Sequence, residues 1–310
     1  MKIVTLTLNP AFDVHCRVAE FMPYHENIAE LCSLEAGGKG VNISRALEQN
    51  GVKNKAVVIV GADNYAEFCK SLEKDGVSFS EVVTGGRIRE NFTLHEEGKP
   101  ETRISFNGFS CDSSVLSRVR LRIGKTDENT VVTFSGSAPN GLNVAELKRL
   151  LAEIQATGAK IVVDSRSFTL DDLLELKPWL IKPNKDETEH YTGKKIENIT
   201  AAANIARELY NGGVENVVVS LGGDGAVLAC ADGVFYAKNP KIEAISTIGA
   251  GDSLIAGFID GKSRSLNAED TLRRAAAYGT AACLQSGTRP PQKSDIDEVE
   301  KHVEITRLNV

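Results

Sequence analysis

Apolar residues concentrate in short runs within residues 55–60, 130–134, 160–163 and 216–219, each rich in valine or isoleucine, as in strands buried on both faces. Between these runs, residues 41–49, 65–74, 144–156 and 201–210 carry apolar side chains at helical spacing. Strands alternating with helices predict an α/β fold, a three-layer sandwich whose mainly parallel sheet is covered on both faces. Right-handed crossovers then bring the carboxyl ends of the strands, and the loops after them, to one edge. Residues 1–8 alternate with period two and lack the apolar core and small-residue cleavage site of a signal peptide, so they read as a further strand.

Four pieces break this rhythm. Residues 14–19, 27–34, 91–96 and 102–106 are short and strand-like, and the last two are joined by the turn-prone Glu97-Gly98-Lys99-Pro100. They predict a small β-sheet built from insertions at about residues 11–35 and 87–107 of a single domain spanning residues 1–310. Such a sheet cannot bury two faces alone, so it reads as a lid over the ligand edge, a contact with a partner's copy, or a peripheral hairpin.

Composition narrows the partners. A net charge of −6 disfavours nucleic acid and anionic membrane, both polyanions, and means that local cations must meet any anionic substrate. No run approaches the ~20 apolar residues of a membrane span. Six cysteines lie far apart with no CxxC pair, which suggests reduced thiols of a cytoplasmic protein rather than a metal site or disulfide framework.

The densest chemistry is Gly249-Ala250-Gly251-Asp252, ahead of the helix-like residues 253–258. Two glycines let N–H groups turn toward a ligand, and a helix start adds its positive dipole end, a setting for phosphate charge. A carboxylate there suits a base that takes the proton of an attacking hydroxyl during phosphoryl transfer; an N-capping aspartate accounts for the same residues. Gly37-Gly38-Lys39-Gly40 with Asn42 offers backbone donors, a cation and an amide to a polyol or sugar phosphate, and it is neither a Walker loop nor a GxGxxG fingerprint. Asp13 follows the strand end at Asn9-Pro10, placed to accept from sugar hydroxyls or to form an Asx turn. Arg87 and Arg89, two apart, read as one face of a strand and match a phosphate. Asn184 and Glu187, after Lys182-Pro183, suit either a hydrated magnesium ion or a capping arrangement. Ser220-Leu221-Gly222-Gly223-Asp224-Gly225 reads as a hairpin turn or as a loop against a nucleotide.

Taken in order, Gly37-Gly38-Lys39-Gly40, Lys182-Pro183-Asn184, Ser220-Leu221-Gly222 and Gly249-Ala250-Gly251-Asp252 resemble the ribokinase-like, or PfkB, carbohydrate kinase family over nearly the whole chain. Thr7-Leu8-Asn9-Pro10 with Asp13, Ser135-Gly136-Ser137 with Pro139, and Ala281-Ala282-Cys283 look most like its 1-phosphofructokinase and tagatose-6-phosphate kinase branch. The resemblance implies an ATP- and magnesium-dependent kinase of a ketohexose monophosphate, D-fructose 1-phosphate ahead of tagatose 6-phosphate. A non-catalytic sugar-phosphate-binding protein is the alternative from another class. By the same resemblance Asp252 is the base and Gly249, Ala250 and Gly251 form the anion hole. Asp13, Gly37, Gly38, Lys39, Asn42, Asn107 and Ser137 surround the sugar, with Arg89 and Asn91 at its phosphate. Lys182, Asn184, Glu187, Ser220, Gly222, Gly225, Thr247, Gly279 and Cys283 surround ATP, Asn184 and Glu187 taking the metal, and a potassium ion beneath the Thr247 loop is left open. A homodimer through the lid is implied as well. Two positions depart from the pattern: Ala138 stands where leucine or valine is common, and Ser105-Phe106-Asn107-Gly108 lacks an acid two residues before the asparagine. The second departure bears on the substrate and not on the reaction.

Overall fold

Alternation along the central strands sends side chains into two separate cores. In the computed structural model, which describes all 310 residues, Val217 and Val219 enter one core and Val218 the other, as do Ile161 and Val163 against Val162. The chain runs β1 (Lys2–Thr7), β2 (Ala11–Arg17), β3 (Glu30–Gly37), α1 (Lys39–Gln49), β4 (Lys55–Gly61), α2 (Tyr65–Lys74), β5 (Phe79–Thr84), β6 (Arg89–His95), β7 (Thr102–Ser105) and α3 (Val115–Ile123). It continues through β8 (Thr130–Ser135), α4 (Val144–Gln155), β9 (Lys160–Asp164), α5 (Leu170–Leu176), β10 (Leu180–Ile181), α6 (Lys185–Thr192), α7 (Ile199–Asn211) and β11 (Val217–Ser220). Last come β12 (Ala226–Cys230), β13 (Gly233–Lys238), α8 (Ala250–Ser263), α9 (Ala268–Ala282), α10 (Lys293–His302) and β14 (Glu304–Leu308).

The large sheet has the order β14-β13-β12-β11-β10-β9-β8-β1-β4-β5. From β11 to β5 every pairing is parallel, so the α/β sandwich is observed as expected. The edge from β12 to β14 is antiparallel, a feature the strand–helix alternation does not announce. One core packs the sheet against α2, α3, α4, α5 and α7 through Phe68, Val119, Leu147, Leu173 and Ala202; the other packs it against α1, α8, α9 and α10 through Ile43, Phe258, Tyr278 and Ile296. No helix is long and apolar enough to cross a membrane, and all six cysteines are free.

The chain leaves β1 toward β4 and β5 on one side, then returns to place β8 on the other. The crevice beyond the carboxyl ends of β1 and β8 is therefore a topological switch point, where ligands of open α/β sheets bind.

The four strand-like pieces form a second sheet, β3-β2-β6-β7. Its register sorts the side chains by polarity. Asp13 stands opposite Glu35 and Asn91, and Asn91 opposite Ser105, on one face; Val14 stands opposite Leu34 and Phe92, and Phe92 opposite Ile104, on the other. Pairing continues to Ala11 opposite Gly37 and Arg89, so β2 starts earlier and β3 ends later than the alternation of residues suggests. Arg87 lies outside β6, exposed and paired with Glu90 at 2.8 Å, so it does not share a strand face with Arg89 as expected.

Candidate active site

The start of α1 is pressed against the end of β1. At Gly40 a Cβ would stand 2.6 Å from the Leu6 carbonyl oxygen, and at Gly37 it would stand 2.2 Å from Asp13 Oδ2. These glycines permit close approach, and the amides of Lys39, Gly40 and Val41 at the uncapped start of α1 find no backbone acceptor, as the sequence suggests. The fit sets Lys39 and Asn42 above the switch point, with Lys39 running past Gly136 at the end of β8.

Asp164 closes β9 beneath them. Its carboxylate is almost fully buried, with Oδ2 2.9 Å from Lys39 Nζ and Oδ1 3.7 Å from Lys182 Nζ. Burial opposes its charge, but Lys182 and Lys39 outweigh this and hold its pKa below the usual carboxylate range. Burial also works against the Lys39 charge, yet Asp164 and Asp252 raise its pKa, so Lys39 is a fixed cation.

The helix α8 starts at Gly249, which has φ 78° in the left-handed region, and no side chain caps it. The amides of Gly251 and Asp252 find no backbone acceptor, and Lys182 Nζ lies 3.0 Å from where a Gly251 Cβ would be. An anion is thus offered two N–H groups, the helix dipole and a buried ammonium. In the first turn of α8, Asp252 is buried and its Oδ2 accepts from Asn42 Nδ2 at 2.8 Å, joining residues 210 apart in sequence. Burial pushes its pKa up to about 6; Lys39, the Asn42 hydrogen bond and Lys182 oppose the rise, and Asp164 adds to it. A carboxylate that titrates near neutrality beside an anion site has the properties of a general base.

The polar face of the second sheet supplies the rest. Asp13, also buried, accepts from Asn91 Nδ2 at 2.9 Å and from Arg103 Nη2 at 3.3 Å. One N–H of Asn91 thereby orients Asp13, and its second N–H is left for the phosphate at which the resemblance places it. Arg89 Nη1 is 3.5 Å from Asn91 Oδ1, and its Nε is buried without a partner. Arg289, beyond α9, stands 3.9 Å from Glu35 of β3. Ser137 and Asn107 are exposed at the rim, Ser137 Oγ accepting from Asn9 Nδ2 at 3.0 Å across the switch point.

Asn184 and Glu187 form a full capping box on α6: Asn184 Oδ1 accepts from the Glu187 amide at 2.8 Å and Glu187 Oε2 from the Asn184 amide at 3.0 Å. Glu187 Oε1 also accepts from Arg166 Nε at 3.0 Å. Ser220 leads into a hairpin turn between β11 and β12, where Gly222 is exposed. Gly225 is buried with no room for a Cβ, which would stand 1.9 Å from the Ala237 oxygen. Gly279 is likewise buried where α9 crosses Ala250, and the Cys283 thiol points back to the Gly279 carbonyl at 3.5 Å. Gly225 and Gly279, which the resemblance places around ATP, are thus held by close packing against Ala237 and Ala250. Thr247 is exposed in the turn before α8.

The sequence profile described as pfkB family carbohydrate kinase matches residues 12–295. This chain belongs to the PfkB family. It is 30% identical to the 1-phosphofructokinase of Escherichia coli K12 over 309 residues, covering 99% of each chain. Its fold matches phosphofructokinase-2 from Escherichia coli in complex with substrates and products at a TM-score of 0.92, with 25% identity over 97% of this chain and 99% of that one. The same enzyme in complex with potassium matches at 0.91, with 25% identity over 97% and 98% of the two chains. This PfkB protein is a sugar kinase, a phosphotransferase for which ATP is the expected donor.

No sequence motif marks Asp164 or Arg103, both part of this kinase's charge array. Asp164 ends an apolar run at a carboxyl edge, which is a usable signal; Arg103 becomes visible only once β6 and β7 are in register.

Proposed function

We propose that this PfkB kinase transfers the γ-phosphoryl group of ATP to the 6-hydroxyl of D-fructose 1-phosphate. The observation that carries the phosphoryl transfer is the Asp252 carboxylate, buried at the uncapped start of α8 with its pKa pushed up to about 6 between Lys39 and Lys182, and the full-length similarity to 1-phosphofructokinase supports the choice of sugar. Asp13, Lys39 and Asn42 bind the sugar hydroxyls, and Arg89 with Arg103 meets the phosphate already present, the planar guanidinium fork being suited to it. Asp252 accepts the hydroxyl proton as the oxygen attacks the γ-phosphorus in line, while Lys182 and the free amides of α8 meet charge on the transferring group. Closure of the second sheet excludes water and so limits loss of ATP to hydrolysis.

No group of three His, Cys, Asp or Glu side chains is placed to hold a metal. Magnesium held mainly by the triphosphate fits, because each Glu187 oxygen accepts a single N–H and keeps a lone pair for a metal-bound water. When bound, magnesium would neutralise charge on the phosphates. A potassium site near the Thr247 turn is supported by the buried, unpartnered Thr288 Oγ1, whose main chain lies against Gly249. The apolar outer face of the second sheet fits a second copy of the chain.

ADP release measured side by side with fructose 1-phosphate, tagatose 6-phosphate, fructose 6-phosphate and ribose tests the assignment. Fructose 1-phosphate should show the highest kcat/KM; a higher value for any other sugar replaces the substrate, and no turnover with any of them removes it.

A further inference from the structure

We infer that Asp164 is a positioning residue of this kinase, holding Lys39 and Lys182 on opposite sides of the reaction centre and balancing their charge in front of Asp252. One carboxylate oxygen serves each ammonium, at 2.9 Å for Lys39 and 3.7 Å for Lys182. Lys182 is buried and lies against Gly251 on the anion side, while Lys39 runs past Gly136 on the sugar side. Two like charges, Lys182 buried and Lys39 partly exposed, would repel with no anion between them and turn toward the next carboxylate, which is Asp252.

That geometry gives a signed consequence. The charged groups facing Asp252 are Lys39 from α1, Asp164 from β9 and Lys182 from the loop after β10, with the neutral Asn42 as its hydrogen-bond donor. Asp164 is the anion among them, so neutralising it leaves both lysines to favour ionised Asp252. A residue that merely filled space would lower turnover or stability without moving a titration.

The test is the pH dependence of kcat/KM for wild type, Asp164→Asn and Asp164→Glu, with folding checked by circular dichroism. The phosphate of the sugar titrates alike in all three and cancels in the comparison. Asp164→Asn should move the acid limb down by about 1 pH unit and lower kcat by roughly tenfold or more. Asp164→Glu, which keeps the charge on a longer stem, should lower kcat with the limb in place. If Asp164→Asn does not fold, Asp164→Ser, which leaves room for a water between the lysines, carries the same expectation. A limb that stays, or rises, in the neutral variant overturns the inference, as does an equal shift in Asp164→Glu. The inference rests on Asp252 as base, and the two failures are distinguishable. Turnover retained in Asp252→Asn removes both, whereas an inactive Asp252→Asn with an unmoved limb in Asp164→Asn removes only this one.

Discussion

Ionised Asp252 works against the fold that holds it. Its buried carboxyl titrates at about 6, against about 3.9 in an unfolded chain, so the folded state binds the proton more tightly. The stability this group contributes is full below about pH 4 and is lost as pH rises through 6, a change on the order of 3 kcal/mol. Asp252→Asn should therefore unfold at a higher temperature than wild type at pH 8, with the gap closing toward pH 4. It should also lose roughly 10²–10⁴-fold in kcat with ATP affinity nearly intact. Thermal unfolding at the two pH values checks the first half and single-turnover kinetics the second; full activity in this variant would end its assignment as base. Lys39 and Asp164 carry shifts of the opposite sense, each favouring its charged form. The charged site residues are thus not equivalent: Asp252 is held ready to change protonation, and its neighbours are held fixed.

Elements were the most legible level, because period and turn chemistry are local. The run at 55–60 is β4, that at 130–134 lies within β8, and the helical spacing over 65–74 is α2. What local pattern could not give was the use made of the glycines at the start of α1. Gly37 reads as a source of free amides, yet its missing side chain is what admits the Asp13 carboxylate. Gly37→Ala places a methyl 2.2 Å from Asp13 Oδ2, and one of the two must move. A displacement of about 1 Å in a sugar-binding group is enough to cost on the order of 10²-fold, so kcat/KM for the sugar phosphate should fall by about that much. Far-ultraviolet circular dichroism should be unchanged. An alanine variant with wild-type kinetics would show that Asp13 takes no part in binding.

At the scale of the whole molecule, the second sheet turns a polar face to the cleft and has an apolar face opposite. Part of the apolar face packs inward, Phe12 meeting Phe68 of α2 edge-on at 5.5 Å. Farther out, Leu31, Leu34, Ile104 and Phe106 remain 60, 39, 44 and 54% exposed, the first two on the β3 edge and the last two at the β7 edge, exposed apolar area of the kind that marks an interface. A dimer through this face is expected in sedimentation velocity, and Ile104→Glu with Phe106→Glu should yield monomers. A wild-type protein that sediments as a monomer would contradict that arrangement.

The sequence by itself determined the alternating sandwich, the inserted strands and the kinase motifs, since each is written in residues within a turn or a strand of one another. Only the tertiary structure decided that Asp164 lies between Lys39 and Lys182, that Asn91 and Arg103 converge on Asp13, and that Asn42 reaches Asp252. Those contacts depend on strand order and register, where a shift of one residue turns every side chain to the other face. Their charges acquire shifted affinities for protons only when burial and neighbours from distant parts of the chain act together.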